Sequence, residues 1–354
     1  MNCQAIILAA GKSSRFNTGR SKLIEPICGQ PMVLYPVSVM ATLNVPTTVV
    51  VGHHKEEIKN VIAARYPSVQ YIEQATQQGT GHAIKCTKEA WHADDIIIIN
   101  GDTPLIDTAL ITTLYRQHQQ QQAAMTFVTA HNIDPTLGNY GRVMHEGDRI
   151  AIVEAKDFIG DPQSHTLINA GIYILARTFL QEFIDTIPAN EKTGEIYFTD
   201  LAAIASNHGL VVATVEAPFD TVRGVNTLRE LWVVEQLKKS AIIDAMLTQG
   251  VRFDAPQTNR IDLSCRIGHA SYIGTGVQLI GNCIIGSRCI IEPFVVLKDT
   301  VIDDDTVIRS HSVIEEMHIP AQSTVGPFAQ LHPATPEKRF VGAVKVAETT
   351  HKTA

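Results

Sequence analysis

Cysteine is sparse and unpaired in this chain. The six residues Cys3, Cys28, Cys86, Cys265, Cys283 and Cys289 are scattered, with no C-x-x-C spacing among them. Zinc ribbons and disulfide frameworks need clustered or regularly spaced cysteines, so buried free thiols in a reducing compartment are the better reading. Long hydrophobic runs are also lacking, and no apolar stretch approaches the ~18 residues of a membrane-spanning helix. Met1 to Leu8 carries neither a basic start nor a small-residue cleavage site and leads straight into a strand-like stretch, which argues against a signal peptide. An excess of positive charge is missing too: 29 Lys and Arg stand against 36 Asp and Glu, a net −7. That balance lacks the basic footprint of a nucleic-acid binder. At roughly 100–200 residues per domain, 354 residues suggest about two domains. The expectation is a cytoplasmic two-domain protein with no membrane and no nucleic-acid partner.

The two halves follow different patterns. In residues 1–226, short runs rich in β-branched residues (Ala5 to Leu8, Thr47 to Val51, Val69 to Ile72, Ile96 to Ile99) alternate with helical stretches such as Met32 to Leu43 and Gly81 to Trp91. Strands apolar on both faces are covered by helices on both sides, and the order β-α-β-α-β-α-β predicts an open, mostly parallel α/β sheet. The Gln-rich stretch Gln117 to Gln122 reads as a solvated helix end. Residues 227–250 form one helical stretch without Pro or internal Gly, stopped by Gly250, and are expected to connect the domains.

From residue 251 the period becomes six. Ile261, Ile267, Ile273, Leu279, Ile285 and Ile291 are spaced six apart; after a five-residue slip come Ile302, Ile308 and Ile314, and after another Ile319 and Val325. An α-helix cannot hold that period on one face, because 3.6 does not divide it. A three-sided β-coil with one hexad per side can. Residues 251–331 are therefore expected to form three to four coils, followed by a polar tail, 332–354.

The chemistry is concentrated early. Leu8-Ala9-Ala10-Gly11-Lys12-Ser13-Ser14-Arg15-Phe16, with Lys22 seven residues after Arg15, places small residues after a buried strand. Their N–H groups are available to a base or phosphate, and Arg15 and Lys22 supply fixed positive charge for a triphosphate. The glycines of the dinucleotide fingerprint and of the P-loop are absent. Alone, the loop is equally a Gly turn with two surface cations.

It does not stand alone. The string L-A-A-G-x-x-[ST]-R-[FM]-x(5)-K resembles the opening of the sugar-nucleotide pyrophosphorylases. Later segments are similar to the bacterial N-acetylglucosamine-1-phosphate uridyltransferase family: Gln74 to Ala83, Asn100 to Ile106, Tyr140-Gly141-Arg142, Ile152 to Asp157, Asn169 to Ile172, Gly194 to Asp200 and Gly224-Val225-Asn226, in family order. The resemblance implies a Rossmann-like nucleotidyltransferase domain (1–226), a linker helix (227–250) and a short left-handed parallel β-helix (251–331). It also implies the reaction of UTP with N-acetylglucosamine 1-phosphate to give UDP-N-acetylglucosamine and pyrophosphate. Leu8, Ala9, Ala10, Gly11, Gln74, Gly79 and Thr80 would then seat the nucleotide, while Gly141, Glu154 and Asn169 bind the sugar. Arg15, Lys22 and Asp102 would be catalytic. Asp102, after the strand Ile96 to Ile99 at the carboxyl edge where open α/β sheets bind ligands, would share Mg²⁺ with Asn226. His82 is expected to be structural, and Lys156 and Asp157 to lie at the surface.

The departures from the family pattern are Ser21 where Pro is usual before the second Lys, Asn100 for Tyr before Gly101-Asp102, and Ala170 for Thr in Asn169-Ala170-Gly171. None removes a phosphate or metal ligand. The acetyltransferase half of the bifunctional enzymes is expected to be inactive, since the coils stop near Leu331 and His332 stands where Arg is usual. Alternatives are a pyrophosphorylase for another sugar 1-phosphate or NTP, a non-catalytic nucleotide-sugar scaffold, and an acyltransferase suggested by the hexads. The β-helix is expected to associate as a homotrimer. The alternative is a monomer whose segment Phe340 to Val346 seals the coil.

Overall fold

The computed structural model describes residues 1–16, 19–132, 140–147, 149–161, 163–333 and 344–345. The chain divides into two compact units, Met1–Glu25 with Pro31–Val234, and Pro26–Gln30 with Glu235–Ala354. The short excursion at Pro26–Gln30 thus goes with the second unit, a feature no local pattern in the sequence carries.

The first unit is built on one nine-stranded sheet. Its strands are β1 (Cys3–Ala9), β2 (Thr47–Val51), β3 (Gln70–Glu73), β4 (Asp95–Asn100), β5 (Met125–His131), β6 (Arg142–Glu146), β7 (Arg149–Val153), β8 (Leu167–Ala176) and β9 (Val212–Glu216). The main order is β9-β5-β8-β4-β1-β2-β3, with β6 joined to β8 and to β7. Neighbours along that order run parallel except around β8, which is antiparallel to both β4 and β5. Along that order β8 is the one reversed strand, and off it β6 runs antiparallel to both β8 and β7. The central strands are sealed on both faces: Ile6, Ile7, Val49, Val50, Val51 and Ile96 to Ile99 have no exposed surface. At roughly 1.5–3 kcal/mol per buried aliphatic side chain, these strands anchor the unit. The helix Thr108–Gln121 shows how local chemistry agrees. Asp107 caps it by accepting from Leu110 N at 2.8 Å, Leu110, Ile111 and Leu114 are buried on one face, and Gln122 ends it in the left-handed region. Gln119 to Gln122 are exposed.

The second unit is a three-sided parallel coil. Its three sheets pair each turn with the next, Ile267 with Ile285, Ile273 with Ile291 and Leu279 with Leu297. After Leu297 the partner lies one residue nearer, as in Ile285 with Ile302 and Ile291 with Ile308. The five-residue slips in the sequence are therefore shortened corners, turned by Asp299 and Glu316 at positive φ. The aliphatic residue of each hexad points inward and is almost fully buried. Cys265, Cys283 and Cys289 are buried there as free thiols, and Cys28 of the excursion is pushed up to about 12 by burial. In the tail, Val344–Lys345 pairs antiparallel with Thr324–Val325; the rest of the Phe340 to Val346 segment lies outside the described residues.

Because Ile291 has no exposed surface and sits mid-coil, Ile291→Ala should cost about 2–5 kcal/mol. Urea unfolding followed by circular dichroism should show a lower midpoint with the first unit's core transition unchanged.

Candidate active site

The carboxyl ends of β1 and β4 lie side by side, with Leu8 paired to Asn100 and Leu8 O accepting from Gly101 N at 2.9 Å. From β1 the chain enters the loop through Ala10, Gly11 and Lys12; from β4 it reaches Asp102. Ser13 adopts positive φ, and its hydroxyl accepts from Lys22 N at 3.1 Å, tying both ends of the loop together. Ser21, the departure from the family's Pro, is fully buried and caps the turn Lys22–Ile24 by accepting from Leu23 N. The turn is thus held by a hydroxyl in place of a ring.

These constraints deliver Lys22 into a cage. Its Nζ lies 2.6 Å from Asp102 Oδ2, 2.8 Å from Asn226 Oδ1 and 2.8 Å from Val225 O. An ammonium has three donors, and all three are used. Arg15 Nη2 donates to the same Asn226 oxygen at 3.1 Å. The Lys22 and Asp102 side chains are only 14% and 18% exposed, so the pair is shielded from solvent more than a surface ion pair would be. The structure thus brings together Arg15, Lys22, Asp102 and Asn226, four residues spread across 1–226.

Two cavities meet at this cage. The larger, about 560 Å³, is lined by Leu8, Ala9, Ala10, Gly11, Arg15, Lys22, Gln74, Gly79, Thr80 and Asp102 among others. A Cβ on Gly11 would meet no protein atom, so the space over that backbone is open. Gln74 is 3% exposed, and its amide nitrogen lies 3.0 Å from both Gly79 O and His82 Nδ1. His82 therefore braces the loop. Gly79 has φ +98, and a Cβ there would press on the Ile196 backbone, so glycine is required. The Thr80 hydroxyl accepts from Phe198 N at 3.1 Å, which leaves its own proton for another partner.

The smaller cavity, about 180 Å³, is lined by Tyr140, Gly141, Glu154, Asn169, Thr199 and Asn226, and shares Leu8, Arg15, Thr80, Asn100 and Asp102 with the larger. Glu154 Oε1 accepts from the Thr199 hydroxyl at 2.7 Å. Asn169 donates to the Tyr173 hydroxyl at 2.6 Å and its carbonyl accepts from Gly171 N. The pairing of β8 with β5 shifts register between Asn169 and Tyr173, with Gly171 at φ +74. A Cβ at Gly171 would overlap the Asn100 carboxamide, so the bulge is shaped around the residue at the junction of the cavities. Gly141 O accepts from Asn169 N at 2.9 Å. Lys156 pairs with Glu195 at 2.5 Å over the Tyr197 ring, half-exposed as expected.

Sequence reasoning missed three residues here. Thr199 lay inside a quoted segment, unassigned. Tyr140, whose hydroxyl accepts from Gly224 N at 2.8 Å, is pushed up by burial and by Asp102. Glu230 is 6% exposed and accepts from Asn226 N at 2.6 Å. The spacing Thr227-x-x-Glu230 is a capping-box signature that could have flagged it.

Among the described residues no three His, Cys, Asp or Glu side chains gather as a metal cage. Mg²⁺ does not need one. It is commonly held by one or two protein oxygens together with substrate phosphates, and the Asp102 and Asn226 oxygens, already gathered about one cation, are of that type. A third cavity, about 410 Å³, lies at the opposite strand ends beside Gln4, Thr47 and Gln70, and no Lys or Arg lines it.

Residues 5–163 match the MobA-like NTP transferase domain, and residues 264–299 match the bacterial transferase hexapeptide (six repeats) family. A solved structure from Bacillus anthracis, described as a glucose-1-phosphate thymidylyltransferase in complex with sucrose, superposes with a TM-score of 0.54 at 19% identity, over 66% of this chain and 94% of that one. Fold and matched domains define an enzyme, a sugar-phosphate nucleotidyltransferase followed by a left-handed β-helix. Bifunctional protein GlmU of Clostridioides difficile is 34% identical over 94% of this chain and 72% of its own length. The GlmU proteins of Desulfotalea psychrophila (35%, 80% and 84%) and Enterococcus faecalis (34%, 97% and 74%) are similar. The chain belongs to the GlmU family. Among its described residues no helix is long and apolar enough to cross a membrane.

Burial pushes the Asp200 carboxyl from 3.8 up to about 6, with Glu154 and Asp157 adding to the shift. The folded chain therefore holds this proton to higher pH than the unfolded chain, and stability falls as pH rises from about 4 to 6. Asp200→Asn should raise the melting temperature at pH 7–8 and leave it unchanged near pH 4. Thermal melts across that range check this, and a variant indistinguishable from wild type at pH 8 contradicts it.

Proposed function

We propose that the chain joins UTP to N-acetylglucosamine 1-phosphate, giving UDP-N-acetylglucosamine and pyrophosphate, with Mg²⁺ as cofactor. The observation that carries the reading is the meeting of two cavities at a cage of two cations, a carboxylate and an amide oxygen. The larger cavity suits a nucleoside triphosphate on the Leu8–Gly11 backbone, with Gln74, Gly79 and Thr80 at the base. The smaller suits an N-acetylated hexose against Gly141, Glu154 and Asn169.

A sugar phosphate is already anionic at neutral pH, so its attacking oxygen needs no general base. That oxygen bonds to the α-phosphorus of UTP, the bond from the α-phosphorus to the bridging oxygen breaks, and pyrophosphate leaves with the electron pair. Positioning and charge neutralisation then account for the rate. Arg15 neutralises the departing pyrophosphate, and Lys22 holds the attacking and transferred phosphates. Bound Mg²⁺ would supply further neutralisation of phosphate charge, held by Asp102 and Asn226. We also propose that the hexapeptide unit assembles a homotrimer, which light scattering of the intact chain decides: a monomer rejects it.

Asp102→Ala should lower kcat/KM for pyrophosphate release by about a thousandfold or more, roughly 4 kcal/mol of barrier, with the melt retained. Near-normal turnover in that variant rejects the assignment. A panel of four NTPs against several sugar 1-phosphates should give the highest rate with UTP and N-acetylglucosamine 1-phosphate. A better rate with another pair moves the activity to that substrate, and tight UDP-sugar binding without turnover would make the chain a sensor.

A further inference from the structure

Each backbone N–H of Gly224-Val225-Asn226 is fixed by a different part of the chain. Gly224 N donates to the Tyr140 hydroxyl at 2.8 Å, Val225 N to Asp102 O at 3.0 Å and Asn226 N to Glu230 Oε2 at 2.6 Å. Glu230 lies in the first turn of the helix Leu228–Thr248, and Thr227 accepts from Glu230 N at 3.2 Å, the first half of a capping box. In an ordinary box the carboxylate returns to the cap residue's own N–H. Here it reaches one residue further back, to Asn226, while also accepting from the Thr227 hydroxyl at 3.2 Å.

A carboxylate only 6% exposed, with no Lys, Arg or His pairing it among the described residues, is costly to bury. Capping a helix does not require that burial, since a solvated Glu caps as well. What the burial adds is a short charge-assisted bond on the residue whose Oδ1 receives both Lys22 and Arg15. The geometry points to Glu230, through Asn226 N, and Tyr140, through Gly224 N, as positioning residues that clamp the 224–226 segment and so hold the Asn226 carbonyl oxygen beside Asp102, where both face one cation. Groups of this kind, acting through the ligand they orient, typically change metal affinity ten- to a hundredfold. The inference rests on the proposed Mg²⁺ role of Asn226.

The test is Mg²⁺ binding by calorimetry with saturating UTP and no sugar phosphate, so that no turnover occurs. Glu230→Ala should weaken Mg²⁺ about ten- to a hundredfold. Glu230→Gln, which keeps an acceptor for Asn226 N but not its charge, should fall between wild type and Glu230→Ala. Asn226→Ala with Glu230→Ala should bind no worse than Asn226→Ala alone, because Glu230 acts through Asn226; a merely structural Glu230 would make the losses add. Should Glu230→Ala fail to melt cooperatively, Tyr140→Phe carries the test, and weaker Mg²⁺ is again expected. Unchanged affinity in Glu230→Ala or Tyr140→Phe, equal losses in the Gln and Ala variants, or additive losses in the double variant each overturn the clamp. Wild-type chain that binds no Mg²⁺ with UTP overturns the parent reading instead.

Discussion

Everything at the catalytic edge depends on one partly buried ammonium group. Lys22 spends its three donors on Asp102, Val225 and Asn226, and so joins the end of β4 to a tripeptide more than a hundred residues later in the chain. Two further groups crowd the same point, Arg15 on Asn226 and the carbonyl of Asp102 on Val225 N. Without a cation, an Asp beside an Asn oxygen would present unpaired negative potential in a shielded site. The lysine removes that penalty and keeps the two oxygens together. The site is therefore already arranged about a positive charge.

Around that point the walls are shaped by what the backbone omits. Gly79 admits the Ile196 backbone, Gly171 admits the Asn100 carboxamide, and the register shift in β8 turns Asn169 toward Tyr173 while its backbone stays bonded to Gly141. The two cavities share a narrow boundary of five residues, where any reaction between their occupants has to happen.

Much of this was legible in the sequence. The hexads from Ile261 to Val325 gave the coil because a strict period of six has a single simple structural reading, and their slips gave its short corners. Asp102 could be placed because an apolar strand ends just before it. The reversal of β8 could not, since Ile172 to Leu175 reads the same in either direction and only its neighbours β4 and β5 decide its sense. Tyr140 and Glu230 stayed hidden for a related reason. What matters about them is a bond to a backbone N–H of the 224–226 segment, and for Tyr140 that partner lies 84 residues away. The excursion Pro26–Gln30 is a third case, where membership of a unit is decided by partners such as Leu263, whose N–H donates to Cys28 O.

The coil's register has a consequence for how the chain reaches its native state. Successive turns pair with residues 17 to 20 positions away, so the second unit is a stack of nearest-neighbour contacts with small loop-closure entropy. The first unit must instead join Ile6 to Ile98 and Phe127 to Thr214 across intervening elements. One chain thus holds a low-contact-order half, able to zip up from any nucleated turn, and a high-contact-order half whose central pairing waits on distant strands. Ordered by topology alone, the coil assembles fast and the catalytic sheet sets the pace.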